Sequence, residues 1–167
     1  MDEVIGSGIG FLASWRKKVL KAKVNFFLRH LEGEITIGRY AINPATQRCR
    51  WVAIDADCQD ALADLIKLGH FLRQDEVDPA LEQSRRGGHL WIFMAEPLSA
   101  RDCRIYVRDL ALRLGIPIKQ GRQREGIEIF PKHDALEPGR CGNAIRGPLG
   151  IHRVAAQRKV KTSPLED

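Results

Sequence analysis

Hydrophobic residues recur along this chain with two periods, one typical of helices and the other typical of strands. Apolar residues at intervals of three and four predict amphipathic helices over residues 10–33, 60–74 and 100–115. Short apolar or alternating runs bounded by turn-forming residues predict strands over residues 35–42, 49–57, 77–84, 89–94 and 126–131, with a further extended segment from residue 144. Because only a short turn separates the first two strands, we expect them to form a hairpin. Helices mixed with hairpin-connected strands indicate an α+β fold with mixed or antiparallel sheets and flanking helices.

The same pattern divides the chain into four segments. Residues 1–9 have the composition of a tail, residues 10–33 form an N-terminal amphipathic helix, and residues 34–153 form the core. Residues 154–167 are mostly basic and polar without an apolar pattern, which is typical of a C-terminal tail or a truncated linker. A length of 167 residues suits one domain with such appended elements.

The charge balance narrows the class of partner. Lys and Arg number 27 against 21 Asp and Glu, and the resulting net charge of +6 is common among proteins that bind polyanions such as nucleic acids or nucleotides. A merely soluble basic protein is the alternative. The four cysteines form no C-x-x-C pair, no apolar stretch approaches the ~20 residues of a membrane span, and the first ten residues lack the order of a signal peptide. We therefore expect a cytoplasmic monomer with reduced thiols and no membrane partner.

Carboxylates end one strand and interrupt another. In "WVAIDAD", Asp55 and Asp57 are two residues apart, so on a strand they share a face about 6.5 Å apart along the chain. Such a pair ionises at a cost unless a cation lies between the carboxylates, and oxygen ligands suit Mg²⁺ or Mn²⁺. Ordinary turn or helix-capping aspartates are the alternative. Glu128 shares its strand face with Phe130 and is the candidate third acid, while Asp134 in the following loop is its rival.

A glycine-bearing loop runs directly into an apolar strand in "SRRGGHLWIFM". Hydroxyl, guanidinium and imidazole donors, together with backbone N–H groups exposed by glycine, all bind phosphate oxygens. The stretch "GNAIRGPLGIH" adds a second arginine and a second histidine. The candidate phosphate-binding residues are Ser84, Arg86, Gly88, His89, Arg146 and His152. A plain hairpin loop with a structural histidine is the alternative.

Three of these stretches, in this order, carry a family resemblance. "AIDAD", "SRRGGHLW" and "IEIF" resemble the strand-end D-x-D/E, the S-x-x-G-x-H loop and the late acidic strand of the archaeo-eukaryotic primase superfamily. The sequence of residues 35–152 looks most like those of the CRISPR-associated primase–polymerases and the primase domains of related conflict systems. The resemblance implies that residues 34–153 are a primase–polymerase catalytic core. It also implies that Asp55, Asp57 and Glu128 bind two Mg²⁺ or Mn²⁺ ions beside a pocket for a nucleoside triphosphate.

The expected reaction follows from the resemblance. A primase–polymerase transfers a nucleotidyl group from an NTP or dNTP to a 3′-hydroxyl, for primer synthesis or extension. Its partners would be a single-stranded DNA or RNA template, a primer strand, and accessory domains or CRISPR proteins. Two alternatives stay open: a non-catalytic nucleic-acid-binding module on the same fold, and a metal-dependent glycosyltransferase that uses the D-x-D pair to hold a nucleotide sugar.

Overall fold

The computed structural model describes residues 21, 23–57, 61–84, 87–119, 125–151 and 159–161 of the chain. Within these residues the helices and strands follow one another in the order α1 (residues 23–31), β1 (Gly38–Tyr40), β2 (Ile42–Asn43), β3 (Arg48–Ala56), α2 (Ala61–Gln74), β4 (Ala80–Gln83), β5 (Gly88–Ser99), α3 (Ala100–Arg113), β6 (Ile127–Phe130), β7 (Ala144–Arg146) and β8 (Lys159–Lys161).

The main sheet is built around β3. One edge of β3 pairs with β5, and the other edge pairs with β2 near its start and with β6 near its end. β4 pairs with β5, and β8 pairs with β4. β1 and β7 form a separate two-stranded sheet. All of these strand pairs are antiparallel, which confirms the expected α+β fold with antiparallel sheets and flanking helices.

One face of the main sheet carries the larger apolar core. Successive side chains on a strand point to opposite faces, so alternate residues of β3 and β5 meet α2 and α3 on this side. Each fully buried aliphatic side chain contributes about 1.5–3 kcal/mol relative to an exposed one. This layer therefore fixes the positions of β3 and β5. Its members include Val52, Ile54, Leu90, Ile92, Leu65, Leu68, Leu72, Val107 and Leu110.

The opposite face of the main sheet carries a layer of aromatic side chains. Trp51 and Trp91 lie side by side with ring centroids 5.4 Å apart, and Trp91 stacks on Phe93 at 6.0 Å. Phe130 of β6 and Ile145 of β7 join the two tryptophans in a second buried cluster, which also seats the small β1–β7 sheet. The same alternation carries the polar residues at the end of β3 onto this face, away from the helices.

The predicted first hairpin is only partly correct. Ile42 pairs with Cys49 and Asn43 with Arg48, as a hairpin requires, but β1 leaves the sheet and pairs with β7. If the hairpin continued in the same register, Gly38 would lie opposite Ala53. Phe130 of β6 already holds that position. Competition with β6 for the same edge of β3 therefore explains why β1 turns away.

The described part of the N-terminal helix confirms helical structure in residues 23–31. Its contact with the core depends on His30, which is buried, rather than on the apolar residues around it, since Val24, Phe27 and Leu28 are about half exposed. The His30 ring accepts a hydrogen bond from the Ile37 backbone N–H at 3.2 Å and lies 3.1 Å from the carbonyl of Gly147. A polar contact of this kind leaves no hydrophobic period in the sequence, which is why the helix pattern did not reveal it.

The predicted C-terminal tail contains a strand. Residues 159–161 form β8 and pair antiparallel with β4, with Glu82 opposite Val160. An edge strand offers unpaired backbone groups to any extended segment, so this pairing requires no apolar pattern. The predicted tail over residues 1–9, most of residues 10–22 and the remaining C-terminal residues lie outside the described part of the chain. No helix among the described residues is long and apolar enough to cross a membrane.

Candidate active site

Four charged side chains lie in one line across the sheet. In the strand register, Glu128 of β6 is opposite Asp55 of β3, Asp55 is opposite His89 of β5, and His89 is opposite Glu82 of β4. Directly opposed residues share a face of the sheet, so the four side chains form a continuous row, which we call the charged row. Three of its members were predicted from separate stretches of sequence, and the fold brings them together.

His89 lies between two carboxylates within the charged row. Its Nε2 is 3.3 Å from Asp55 Oδ1 and its Nδ1 is 3.2 Å from Glu82 Oε2. Burial lowers the pKa of His89, but hydrogen bonds and the negative charges of Asp55 and Glu82 outweigh burial and raise that pKa to about 9. A pKa above neutrality favours the imidazolium form, in which both ring nitrogens donate.

Glu82 was missed by the sequence analysis, although it is the most enclosed acid of the row. Only 5% of the residue is exposed. Burial acts to raise its pKa, but the hydrogen bond to His89 and the charges of His89 and Arg146 hold the pKa below the ordinary value. The hairpin turn between β4 and β5 could have revealed the position of Glu82. Because Ser84 and Gly87 close a tight hairpin, counting outward places Glu82 opposite His89.

Arg146 lies beside Glu82, at the end of the charged row that we call the closed end because Glu82 is buried. Its Nη2 donates to Glu82 Oε1 at 3.1 Å and its Nη1 donates to the carbonyl of Gly150 at 3.0 Å. The backbone N–H of Leu149 also donates to Glu82 Oε1, at 3.2 Å. The predicted phosphate-binding arginine therefore lies next to the predicted phosphate-binding histidine, with a buried glutamate joining them.

Glu128 forms the open end of the row and faces two lysines. Lys132 Nζ is 2.5 Å from one carboxylate oxygen and Lys119 Nζ is 3.7 Å from the other. Beside this group lies a cleft of about 390 Å³ whose lining includes Arg104, Arg108, Lys119, Lys132 and Glu128. Four cations and one acid make this cleft strongly basic.

The turn after β4 requires glycine at Gly87 and Gly88. Ser84 accepts a hydrogen bond from the Gly87 N–H through its hydroxyl at 3.2 Å, and its own N–H donates to the Gly87 carbonyl at 2.9 Å. A Cβ on Gly87 would stand 1.8 Å from the Ala56 carbonyl oxygen, and a Cβ on Gly88 would stand 2.8 Å from the Glu82 carbonyl oxygen. Gly87 thus lets the turn lie against the end of β3, immediately beside the charged row, and Gly88 lets β5 lie close to the backbone of β4.

The remaining predicted residues are less closely gathered. Asp57 is exposed just beyond the end of β3. Asp134, the rival third acid, forms an ion pair with Arg104 at 2.5 Å at the edge of the cleft. Arg86 and His152 lie outside the described residues, so their predicted phosphate contacts remain predictions.

The sequence motifs that supply this row agree with a known family. The family profile "TOTE conflict system, Archaeo-Eukaryotic Primase domain" matches residues 9–162 of the chain. The chain belongs to this primase family. The resemblance based on the three motifs is thereby confirmed, and membership of the primase family supports a function of the nucleotidyltransferase type.

One solved structure is also similar to this primase domain. It is the polymerase domain from Mycobacterium tuberculosis ligase D in complex with DNA, with 14% sequence identity and a TM-score of 0.44. The similarity covers 74% of this chain and 48% of the other, so the primase domain spans about half the length of that structure. No curated protein matches the chain.

Polymerase domains of the archaeo-eukaryotic primase type generally depend on divalent metal ions, and the charged row suits such an ion in two respects. Carboxylate oxygens are the donors that Mg²⁺ and Mn²⁺ prefer. Asp55 and Glu128 are directly opposed on adjacent strands, and such residues have Cβ atoms about 4.5–5.5 Å apart, within reach of one cation.

The present side-chain contacts of the two acids are with protein cations. Among the described residues no three His, Cys, Asp or Glu side chains form a ready ligand group. Asp55 lies against His89, and Glu128 lies against two lysines. Mg²⁺ in nucleotide-dependent enzymes is usually held by one or two carboxylates together with substrate phosphates. The donor type and the register of Asp55 and Glu128 therefore fit a divalent cation that binds together with its nucleotide.

Proposed function

We propose that this chain is the catalytic domain of a primase–polymerase. It would transfer a nucleotidyl group from an NTP or dNTP to the 3′-hydroxyl of a primer paired with a single-stranded DNA or RNA template. Residues 34–153 would form the catalytic core. The observation that carries the proposal is the charged row, in which Glu128, Asp55 and His89 are direct neighbours across three strands.

Each end of the row would bind a different part of the substrates. Asp55, Glu128 and the exposed Asp57 would hold the divalent cations, either Mg²⁺ or Mn²⁺. When bound, such cations lower the pKa of an attacking hydroxyl and offset the charge of the phosphates. His89 would donate a hydrogen bond to the triphosphate, and Ser84 and Arg146 would extend that site, as would Arg86 and His152.

His89 is suited to this exchange of partners. Its Nε2 lies 3.3 Å from Asp55 Oδ1, so a protonated ring would offset the charge of an acid in a low-polarity setting. A triphosphate oxygen would replace Asp55 as the acceptor for Nε2, and Asp55 would then be available as a metal ligand.

The basic cleft supports the binding of a strand. Arg104, Arg108, Lys119 and Lys132 line a groove beside Glu128, where the phosphates of a primer or template would pass near the reacting atoms. Electrostatic binding of this kind neutralises phosphates and releases counterions, so it weakens steeply as salt rises. We place the nucleic acid at this end of the row and the triphosphate at the other.

A primer-extension assay tests the proposal. We expect the wild-type chain to extend a labelled primer on a single-stranded template with Mn²⁺ or Mg²⁺, and we expect Asp55→Ala with Asp57→Ala to abolish extension while circular dichroism stays unchanged. Asp109→Ala is the matched control, since Asp109 is an exposed aspartate on α3 that does not line the cleft. Extension by the double variant at the wild-type rate would remove Asp55 and Asp57 from the mechanism.

One observation favours a second function, a non-catalytic nucleic-acid-binding module. Lys132 and Lys119 already hold Glu128, as they would in a site that has no need of a metal ion. Such a module would bind single strands in a salt-sensitive manner and make no longer products in the same assay. Membership of a primase family gives no support to the glycosyltransferase alternative. A connection with CRISPR proteins or accessory domains remains a prediction from the resemblance.

A further inference from the structure

We infer that Glu82 is a positioning residue that holds His89 and Arg146 together as one rigid receptor for the phosphates of the incoming nucleotide. The inference rests on the proposed function and adds a residue that lies outside the predicted site. Glu82 does not face the open end of the row, so its effect on the nucleotide would pass through the two side chains that it binds.

The carboxylate of Glu82 has four hydrogen-bond donors. Oε2 is 3.2 Å from His89 Nδ1 and accepts from Trp91 Nε1 at 3.2 Å, while Oε1 accepts from Arg146 Nη2 at 3.1 Å and from the Leu149 N–H at 3.2 Å. An ionised carboxylate offers about four acceptor positions, so its capacity is filled. Glutamine of the same size has one acceptor oxygen and brings two N–H groups of its own, so it cannot satisfy these donors.

The four donors come from separate parts of the chain. His89 and Trp91 lie on β5, Arg146 ends β7, and Leu149 belongs to the loop that follows. That loop is held in turn by the N-terminal helix, because His30 Nε2 lies 3.1 Å from the Gly147 carbonyl oxygen and 3.2 Å from the Pro148 carbonyl oxygen. Glu82 therefore joins the main sheet to the small sheet at the point where two phosphate ligands are expected.

The contacts of Glu82 also set the direction of each ligand. With Nδ1 of His89 directed at Glu82, the Nε2 of the same ring must point to the other side, toward Asp55 and the open end of the row. With Nη2 of Arg146 held by Glu82 and Nη1 held by Gly150, the guanidinium plane is fixed as well. Filling this space would not require a charged residue, since well-packed apolar residues often stabilise such a site equally well or better. The charge of Glu82 therefore favours a role in directing His89 and Arg146.

Nucleotide kinetics test the inference. We expect Glu82→Gln to raise the KM for the incoming nucleotide by roughly 10-fold or more with a much smaller change in kcat, because hydrogen bonds to charged groups are being misdirected. We expect the KM increase of the double variant Glu82→Gln with His89→Ala to be smaller than the product of the two single increases, since residues that act as a unit are not additive. Glu96→Gln is the matched control, because Glu96 is an exposed glutamate at the far end of β5.

A second measurement separates the inference from the proposed function. In ¹H–¹⁵N spectra of the histidine rings, we expect a downfield, slowly exchanging Nδ1 proton of His89 that disappears in Glu82→Gln and persists in Glu96→Gln. If the wild-type chain fails to extend primers, the proposed function fails, and this spectrum still decides whether Glu82 positions the ring.

Two results would overturn the inference. One is an unchanged KM with an unchanged His89 resonance in Glu82→Gln, and the other is a loss that adds in full to that of His89→Ala. If Glu82→Gln does not fold, Glu82→Asp is measured in the same way, since it keeps the charge but is too short to reach both ligands. We expect Glu82→Asp to give a KM between those of the wild type and His89→Ala, and a wild-type KM there would equally count against a positioning role.

Discussion

The two ends of the charged row use the same residue type in opposite ways. At the closed end, Glu82 is buried and accepts from four donors, three of which are held by strands. At the open end, the side chain of Glu128 is 29% exposed and is held by two lysines beside a cleft. A strand-held donor keeps its position, whereas a lysine on a flexible stem is free to move when a ligand arrives.

This difference indicates that the two ends of the charged row have different roles. Charges that must keep their direction are satisfied by groups that cannot move, and charges that must accept a new partner are satisfied by groups that can. His89 lies between the two ends and shares both properties, since one nitrogen faces Glu82 and the other faces Asp55.

Glu128→Gln should remove most nucleotide incorporation while leaving the fold intact. Loss of a carboxylate ligand to a catalytic cation should reduce kcat/KM by about 1,000-fold, equivalent to about 4 kcal/mol. The free energy of unfolding should change by less than about 1 kcal/mol, because partly exposed ion pairs contribute little. Primer extension and urea unfolding measure the two quantities, with Glu137→Gln in an exposed ion pair as the control. An active Glu128→Gln enzyme would make Asp134 the better candidate for the third acid.

Arg146→Ala should instead lower stability. Removing one partner of a buried ion pair leaves an uncompensated charge and typically costs 3–5 kcal/mol, and since three donors to Glu82 remain we expect about 3 kcal/mol. Arg140→Ala is the matched control, because the Arg140–Glu137 pair is largely exposed and should change the free energy of unfolding by less than about 0.5 kcal/mol. Equal effects of the two substitutions in urea unfolding would show that the closed end is no more tightly held than an ordinary surface pair.

Much of this fold could be predicted because its main elements follow simple periods. The runs that became α2, α3, β3 and β5 are long and regular, and the structure confirms them. The strand that contains β1 was predicted, but its pairing with β7 and the formation of β8 could not be, since they depend on which edges other strands leave open. Choices of that kind depend on the whole sheet and leave no local trace in sequence.

The site was predictable to a similar extent. Asp55, His89 and Glu128 lie in recognisable motifs, and the strand register brings them together. Glu82 lies in a short strand with no motif of its own, so only the hairpin register could have revealed it. The lysines that hold Glu128 come from the irregular segments on either side of β6, where sequence patterns give no direction to a side chain.

Gly87→Ala tests the packing that supports the row. A Cβ at this position would stand 1.8 Å from the Ala56 carbonyl oxygen, so the turn would have to move away from β3, at a cost of about 2 kcal/mol. Gly38→Ala is the control, because its Cβ would meet only the Ala144 side chain at an ordinary 3.5 Å. Thermal unfolding compares the two variants. A fully stable Gly87→Ala protein would indicate that the turn does not need to lie against the end of β3.

Arg108→Ala should have the smallest effect, and it should act on nucleic-acid binding alone. Arg108 is exposed on α3 and lines the basic cleft, so its loss should remove about one phosphate contact and weaken binding a few-fold at moderate salt. The slope of log affinity against log salt for a single-stranded probe should become shallower by about 0.7. Arg113→Ala, an exposed arginine at the end of the same helix that does not line the cleft, should leave the slope unchanged. Fluorescence anisotropy over a salt series measures both variants, and equal slopes for them would mean that the strand does not pass through the cleft beside Glu128.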